Sequence, residues 1–171
     1  MTTERLDVDF RGIVNAARPV GRWPEADRNG RRGATLAEPR KRRQVLFLSS
    51  TTPARSWMAA TLLSDRCGRH AQAWFGSLAA AELPVSVIDT MDELPRATPG
   101  EPVLHARDLT GPPDLVIILG TPFPVESSGM AEVRHWSIAD PEGQAPRTVR
   151  LIRDVLVTHV KMLAAELSVP A

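Results

Sequence analysis

The chain has 171 residues, room for one ordinary domain, and 43% apolar with 24% charged residues excludes a disordered or fibrous protein. Formal net charge is +1, from 21 basic and 20 acidic residues, so the chain as a whole is neither a polycation nor an acidic solvating segment. A single cysteine, Cys67, excludes an internal disulfide and a Cys-based zinc cluster. No stretch reaches the about 18 apolar residues of a membrane span. Residues 1–10 are polar and acidic and lack the apolar core of a secretory signal. The expected setting is the reducing cytoplasm, without membrane association.

Near neutrality hides two unlike parts. Residues 1–43 hold 11 basic and 6 acidic residues, a local net of +5, while residues 44–171 hold 10 and 14, a net of −4. The first part is rich in Gly, Pro and Arg and keeps no helical or strand period for more than a few residues. It reads as a basic, loosely docked N-terminal arm (1–43) beside one domain (44–171). Its charge also suits nucleic acid or an acidic partner, with only Phe10 and Trp23 present to stack on bases. The run Arg40, Lys41, Arg42, Arg43 directly precedes an apolar strand, and such residues often just solubilise a strand entrance.

From Gln44 the pattern changes. Residues 45–48 are continuously apolar, as in a strand buried on both faces. A small-residue loop follows, with hydroxyls at Ser49, Ser50, Thr51 and Thr52. Met58, Ala59, Leu62 and Leu63 then mark one face of a helix beginning near Arg55, and Gly68 is a natural stop. Residues 71–75 suit a second strand. Residues 83–88 are apolar but ambiguous, and Asp89 suits the cap of a short helix over 89–94. Residues 95–113, with their prolines, read as loop. Residues 114–120 are the clearest strand, β-branched and without alternation, and 133–138 suit another. Val149, Ile152, Leu156, Val160, Leu163 and Leu167 form the apolar stripe of a long closing helix, with Arg150, Arg153, Asp154 and Lys161 off it. Strands separated by crossovers imply an open, parallel α/β sheet.

In such sheets ligands bind at the carboxyl ends of the strands. The helix near Arg55 aims its free N–H groups at that edge. Four hydroxyls and a permanently charged guanidinium beside them suit phosphate or another tetrahedral oxyanion, although hydroxyl-rich loops are also common without any ligand.

The segment VLFLSSTTPARSWMAATLL resembles the phosphate loop of the low-molecular-weight protein tyrosine phosphatase superfamily, which includes the thioredoxin-coupled arsenate reductases. The family motif is Cys-x5-Arg-Ser between a strand and a helix. Here the frame is Ser49-x5-Arg55-Ser56, followed by Met58-Ala59. HWSIADPEGQAPRTVRLIRDVLVTHVKMLAAEL matches the family's tryptophan, Asp-Pro and last helix, through Trp136, Asp140 and Pro141. The resemblance covers about residues 44–168 and implies a four-stranded parallel sheet with helices on both faces. It also implies that Arg55 clamps an oxyanion with Ser50, Thr51, Thr52 and Ser56, and that Asp140 is the candidate acid for a leaving group. The nucleophile position is Ser49.

That substitution is decisive for chemistry. A thiol starts near pKa ~8.5 and ionises beside a helix N-terminus and an arginine. An alcohol starts several units higher and needs an adjacent general base. None lies within residues 49–56, and His135 is the nearest by topology among His70, His105, His135 and His159. Cys67 sits 11 residues beyond Ser56, about 16 Å along a helix. The reductases' further cysteines are missing, since that place reads Gly120, Thr121, Pro122, Phe123. The family has Asn or Gly, which tolerate positive φ, where this chain has Thr52 and Ala54, and Pro53 is unusual there. Asp140 itself also reads as a plain Asp-Pro turn. Trp57 and Trp136 read as packing residues, with Trp57 also placed to face the loop.

The leading expectation is an oxyanion- or phospho-ligand-binding or regulatory module without Cys-dependent catalysis, with no metal and no cofactor. The alternative is an enzyme of altered chemistry on a small phosphorylated metabolite, using Ser49, Arg55 and Asp140. The sequence leaves the presence of catalysis open.

Overall fold

A computed structural model describes residues 42–67, 70–79, 81–95, 103–123 and 131–168. The basic arm, apart from its last two residues, and Gly68 lie outside the described residues. So does any interaction of that arm with nucleic acid or an acidic partner.

The described elements run β1 (Arg43–Ser49), α1 (Ala54–Cys67), β2 (Ala71–Ser77), α2 (Val85–Asp92), β3 (Leu104–His105), a 3-10 turn (Ala106–Asp108), β4 (Leu115–Leu119), β5 (Glu132–Trp136) and α3 (Pro146–Ser168). The strands form one parallel sheet in the order β3-β2-β1-β4-β5. This is the expected α/β class, with one more strand. The fifth is β3, two residues pairing with Trp74 and Phe75 at the sheet's edge. Two residues carry no readable period, so the segment 95–113 looks like loop throughout.

Strand β1 is central, and its unbroken apolar run has a direct cause. Val45 and Phe47 point into one core cluster, Leu46 and Leu48 into another. A strand covered on both faces needs no polar alternation. The first cluster gathers Met58, Leu62 and Leu63 of α1, Val87 and Met91 of α2, and the inner stripe of α3. The second holds Trp74, Ala106, Val116 and Ile118, with Leu104, Leu109 and Phe123 packed against it. No described helix is long and apolar enough to cross a membrane.

Helix α2 settles the ambiguous stretch. It begins at Val85, with Pro84 in extended conformation at its N-cap, so Asp89 lies inside it rather than capping it. The periodicity of Val87 and Met91, both buried, outweighs the local preference of Asp89 for a cap. Arg153 is a second departure. It lies off the apolar stripe of α3, yet only 9% of it is exposed. Its Nη1 donates to the Thr90 carbonyl at 2.9 Å and to Glu93 Oε2 at 2.9 Å. Arg150 clasps the same carboxylate, Nε and Nη2 donating at 3.0 and 2.6 Å to Oε1. These contacts tie the end of α2 to α3.

The two guanidiniums hold the Glu93 carboxyl down at about 2, from an ordinary 4.5, through hydrogen bonds from Arg150 first and Arg153 next. A depressed carboxyl stabilises the fold above its unfolded value and stops doing so as pH falls through its folded value. We therefore predict that Glu93→Gln melts lower than the wild type at neutral pH. The gap between the two melting temperatures should close as pH falls from 4.5 to about 2. A gap constant across that range in melts followed by circular dichroism contradicts the linkage.

Candidate functional site at the carboxyl edge of the sheet

Strand β1 hydrogen-bonds to β2 on one side and β4 on the other, so chain direction across the sheet reverses beside it. At such a switch point the loops after two neighbouring strands part and leave a crevice. Ser49, paired with Ser77 and Leu119, stands at the end of β1. Residues 50–53 form the turn into α1, whose first main-chain bond runs from Trp57 N–H to the Pro53 carbonyl at 2.8 Å. Gly120 directly follows the neighbouring strand, β4.

Arg55, in the first turn of α1, organises the edge. Its side chain is 5% exposed. Nη1 donates to the Ile138 carbonyl at 2.9 Å, and Nη2 donates to Thr51 Oγ1 at 2.7 Å and lies 3.2 Å from Asp140 Oδ2. Thr51 Oγ1 in turn donates to the same carboxylate oxygen at 2.5 Å, while Asp140 Oδ1 accepts the Glu142 N–H at 3.1 Å. One planar guanidinium thus joins the loop after β1 to the loop after β5. The Arg55 Nε–H is buried without a partner, and so is Thr52 Oγ1, three residues earlier in the chain. An unmet buried donor costs about 1–3 kcal/mol. These two groups are the unfilled polar positions of the loop.

Ser49 is fully buried. Its hydroxyl donates to the Thr52 carbonyl at 2.8 Å and lies 3.1 Å from Ser56 Oγ, which reaches the Pro53 carbonyl at 3.0 Å. These two hydroxyls therefore brace the turn. Among the described residues no histidine, lysine or carboxylate hydrogen-bonds Ser49. His135, the base nearest by topology, places its Nε2 on the Gly120 carbonyl instead. Cys67 is buried at the other end of α1, with Sγ 4.0 Å from the Ala164 carbonyl and 3.9 Å from Ser168 Oγ. Trp57 packs against the core, and Trp136 lies between Phe47 and His159 in tilted ring contacts, with ring centres 5.8 and 5.0 Å away. Of the loop residues named from sequence, Thr51, Arg55 and Asp140 form one hydrogen-bonded cluster and Ser49 and Ser56 another. Ser50 is half-buried in the turn between them.

Two participants have no side chain to announce them. The Ile138 carbonyl is a backbone group. Gly120 has φ +89°, and a Cβ there would overlap the Arg55 guanidinium. The readable sign was a glycine directly after the most apolar strand, at the carboxyl edge. Gly143 also has positive φ, at +67°, but faces open space. Gly143→Ala therefore costs only backbone strain, about 1 kcal/mol. Gly120→Ala adds displacement of Arg55, for a total of about 2–4 kcal/mol. Equal losses for the two variants in denaturant melts mean that Arg55 yields freely to the added methyl.

No protein-family model matches the chain, and no curated protein matches it. Solved structures do. An arsenate reductase in its phosphate-binding state is 22% identical over 74% of this chain and 99% of its own, with a TM-score of 0.58. An arsenate reductase in its oxidised state is 23% identical over the same shares, with a TM-score of 0.59. The arsenate reductase of Archaeoglobus fulgidus is 22% identical over 71% of this chain and 98% of its own, with a TM-score of 0.52. This chain has the low-molecular-weight phosphatase-like fold that those arsenate reductases share.

Proposed function

We propose that the protein is a binding or regulatory module that takes a phosphate-like oxyanion, or a phosphorylated ligand, in the loop of residues 49–56 without Cys-dependent catalysis. The observation that carries this reading is the unequal fate of the two chemical parts of the loop. The cation is kept: Arg55 is buried and held to the loop through Thr51, with its Nε–H unmatched. The nucleophile is not: a fully buried serine stands in its place, its proton bound to a backbone carbonyl.

An alcohol in that state cannot attack phosphorus or arsenic. It has no base to take its proton, and leaving the Thr52 carbonyl would orphan a buried acceptor. Anion binding needs neither. It needs N–H donors at a helix start, a guanidinium fork and small side chains around them. Ser50, Thr51, Thr52, Arg55 and Ser56 supply these, and a structural neighbour in a phosphate-binding state supports the same ligand class. Asp140 then serves as the counter-charge of Arg55 rather than as an acid, since there is no covalent step for it to assist. We place this activity in the reducing cytoplasm, where a lone thiol persists.

Titration calorimetry of the purified chain with phosphate and with arsenate tests the reading. We expect saturable binding in the wild type and its loss, by about tenfold or more, in Arg55→Ala. Hydrolysis of an aryl phosphate should be absent in both. Heat-silent titration of the folded wild type overturns the oxyanion site. Turnover that disappears in Ser49→Ala overturns the absence of catalysis.

A further inference from the structure

Helix α3 carries an apolar inner seam and a largely apolar outer one. The inner one, Val149, Ile152, Leu156, Val160 and Leu163, is buried in the core. On the other side Leu151, Val155, Thr158, Met162 and Ala165 follow steps of 4, 3, 4 and 3, and all five are exposed. Leu151 is 61% exposed, Val155 46% and Met162 65%. With 3.6 residues per turn the two seams point about 140° apart, so one helix cannot press both on the same sheet. Single exposed apolar side chains are ordinary; a 4-3 seam is the pattern that lies between two helices.

The charges beside the seam select the occupant. One flank carries Asp154 and Lys161, each one position before a seam residue and of opposite sign. Arg153 engages only Oδ1 of Asp154. The other flank carries His159 and Glu166, both engaged within their own chain. His159 packs at a tilt against Trp136, and Glu166 Oε2 accepts Arg134 Nη1 at 2.8 Å.

We propose that this outer seam is a self-association surface, on which two copies of the chain pair through α3 in antiparallel orientation. In that arrangement equal flanks meet. Asp154 of each copy then faces Lys161 of the other, twice by symmetry. Val155 shares a layer with Thr158 of the second copy, and Leu151 with Met162. Parallel pairing would set Lys161 against Glu166, which Arg134 already holds. The interface is independent of the oxyanion reading and lies on the helix's outer face.

Sedimentation velocity of the full chain over a range of about 1–200 μM should show reversible doubling of mass. Met162→Lys should weaken association by about tenfold or more. Asp154→Lys should weaken it about three- to tenfold, because two attractions become repulsions. The exchange Asp154→Lys with Lys161→Asp should restore it, which no general stickiness predicts. All of these positions are exposed, and unchanged circular dichroism confirms that the variants fold. A wild type that stays monomeric overturns the proposal, as does hydrogen exchange assigning the seam to residues 1–41 of the same chain. Failure of the double exchange to restore pairing overturns the antiparallel arrangement.

Discussion

A buried guanidinium cannot be left alone, and much of the carboxyl edge of this sheet follows from that. Arg55 is always charged, and removing such a group from water costs several kcal/mol unless acceptors surround it. Here the acceptors come from segments far apart in sequence. They are Thr51 in its own loop, the Ile138 carbonyl, and the Asp140 carboxylate. Gly120 completes the arrangement by what it lacks, since any side chain there would occupy the volume of the guanidinium. A single cation therefore sets the spacing between the loop after β1, the end of β4 and the segment after β5. In turn, the parallel sheet makes the meeting possible, because it brings β1, β4 and β5 side by side with their carboxyl ends together.

The same edge shows why fold and chemistry separate. Serine and cysteine have nearly the same shape, so a strand–loop–helix turn accepts either. Their acidities differ by several units, and only the thiol is ionised by a helix dipole and a guanidinium. At position 49 the hydroxyl takes a structural role instead. It donates to the Thr52 carbonyl and, together with Ser56, ties the turn to the first residues of α1. A loop of hydroxyl residues braced this way is held by its own hydrogen bonds.

Sequence patterns showed the elements well wherever burial was one-sided or complete. The inner stripe of α3 and the unbroken runs of β1 and β4 were legible because the core imposes a period or removes one. Asp89 misled because a cap residue and an exposed mid-helix residue look alike, and the buried pair Val87 and Met91 decided between them. Arg153 misled for the opposite reason. Its burial depends on a backbone carbonyl at Thr90, which no residue type signals. At the site, Ser49, Arg55 and Asp140 were visible through the resemblance to the Cys-x5-Arg-Ser and Asp-Pro motifs. The Ile138 carbonyl and the close approach of Gly120 to Arg55 are properties of the tertiary fold and leave almost no trace in composition.

The Arg55–Asp140 pair also bounds what the loop can bind. The carboxylate already balances the guanidinium, and Thr51 donates to the carboxylate as well. An incoming oxyanion in the proposed site gains the unmatched Arg55 Nε–H and the start of α1, but it meets a resident negative charge. The net gain is the difference between these terms, so the ligand must bring hydrogen-bonding capacity as well as charge. A bare spherical anion offers no match to the fixed fork of Arg55. A tetrahedral oxyanion does, and in a partly protonated form it also presents a proton to Asp140, turning the opposing carboxylate into an acceptor. In the proposed site, ligand shape and protonation rather than charge alone would therefore govern occupancy.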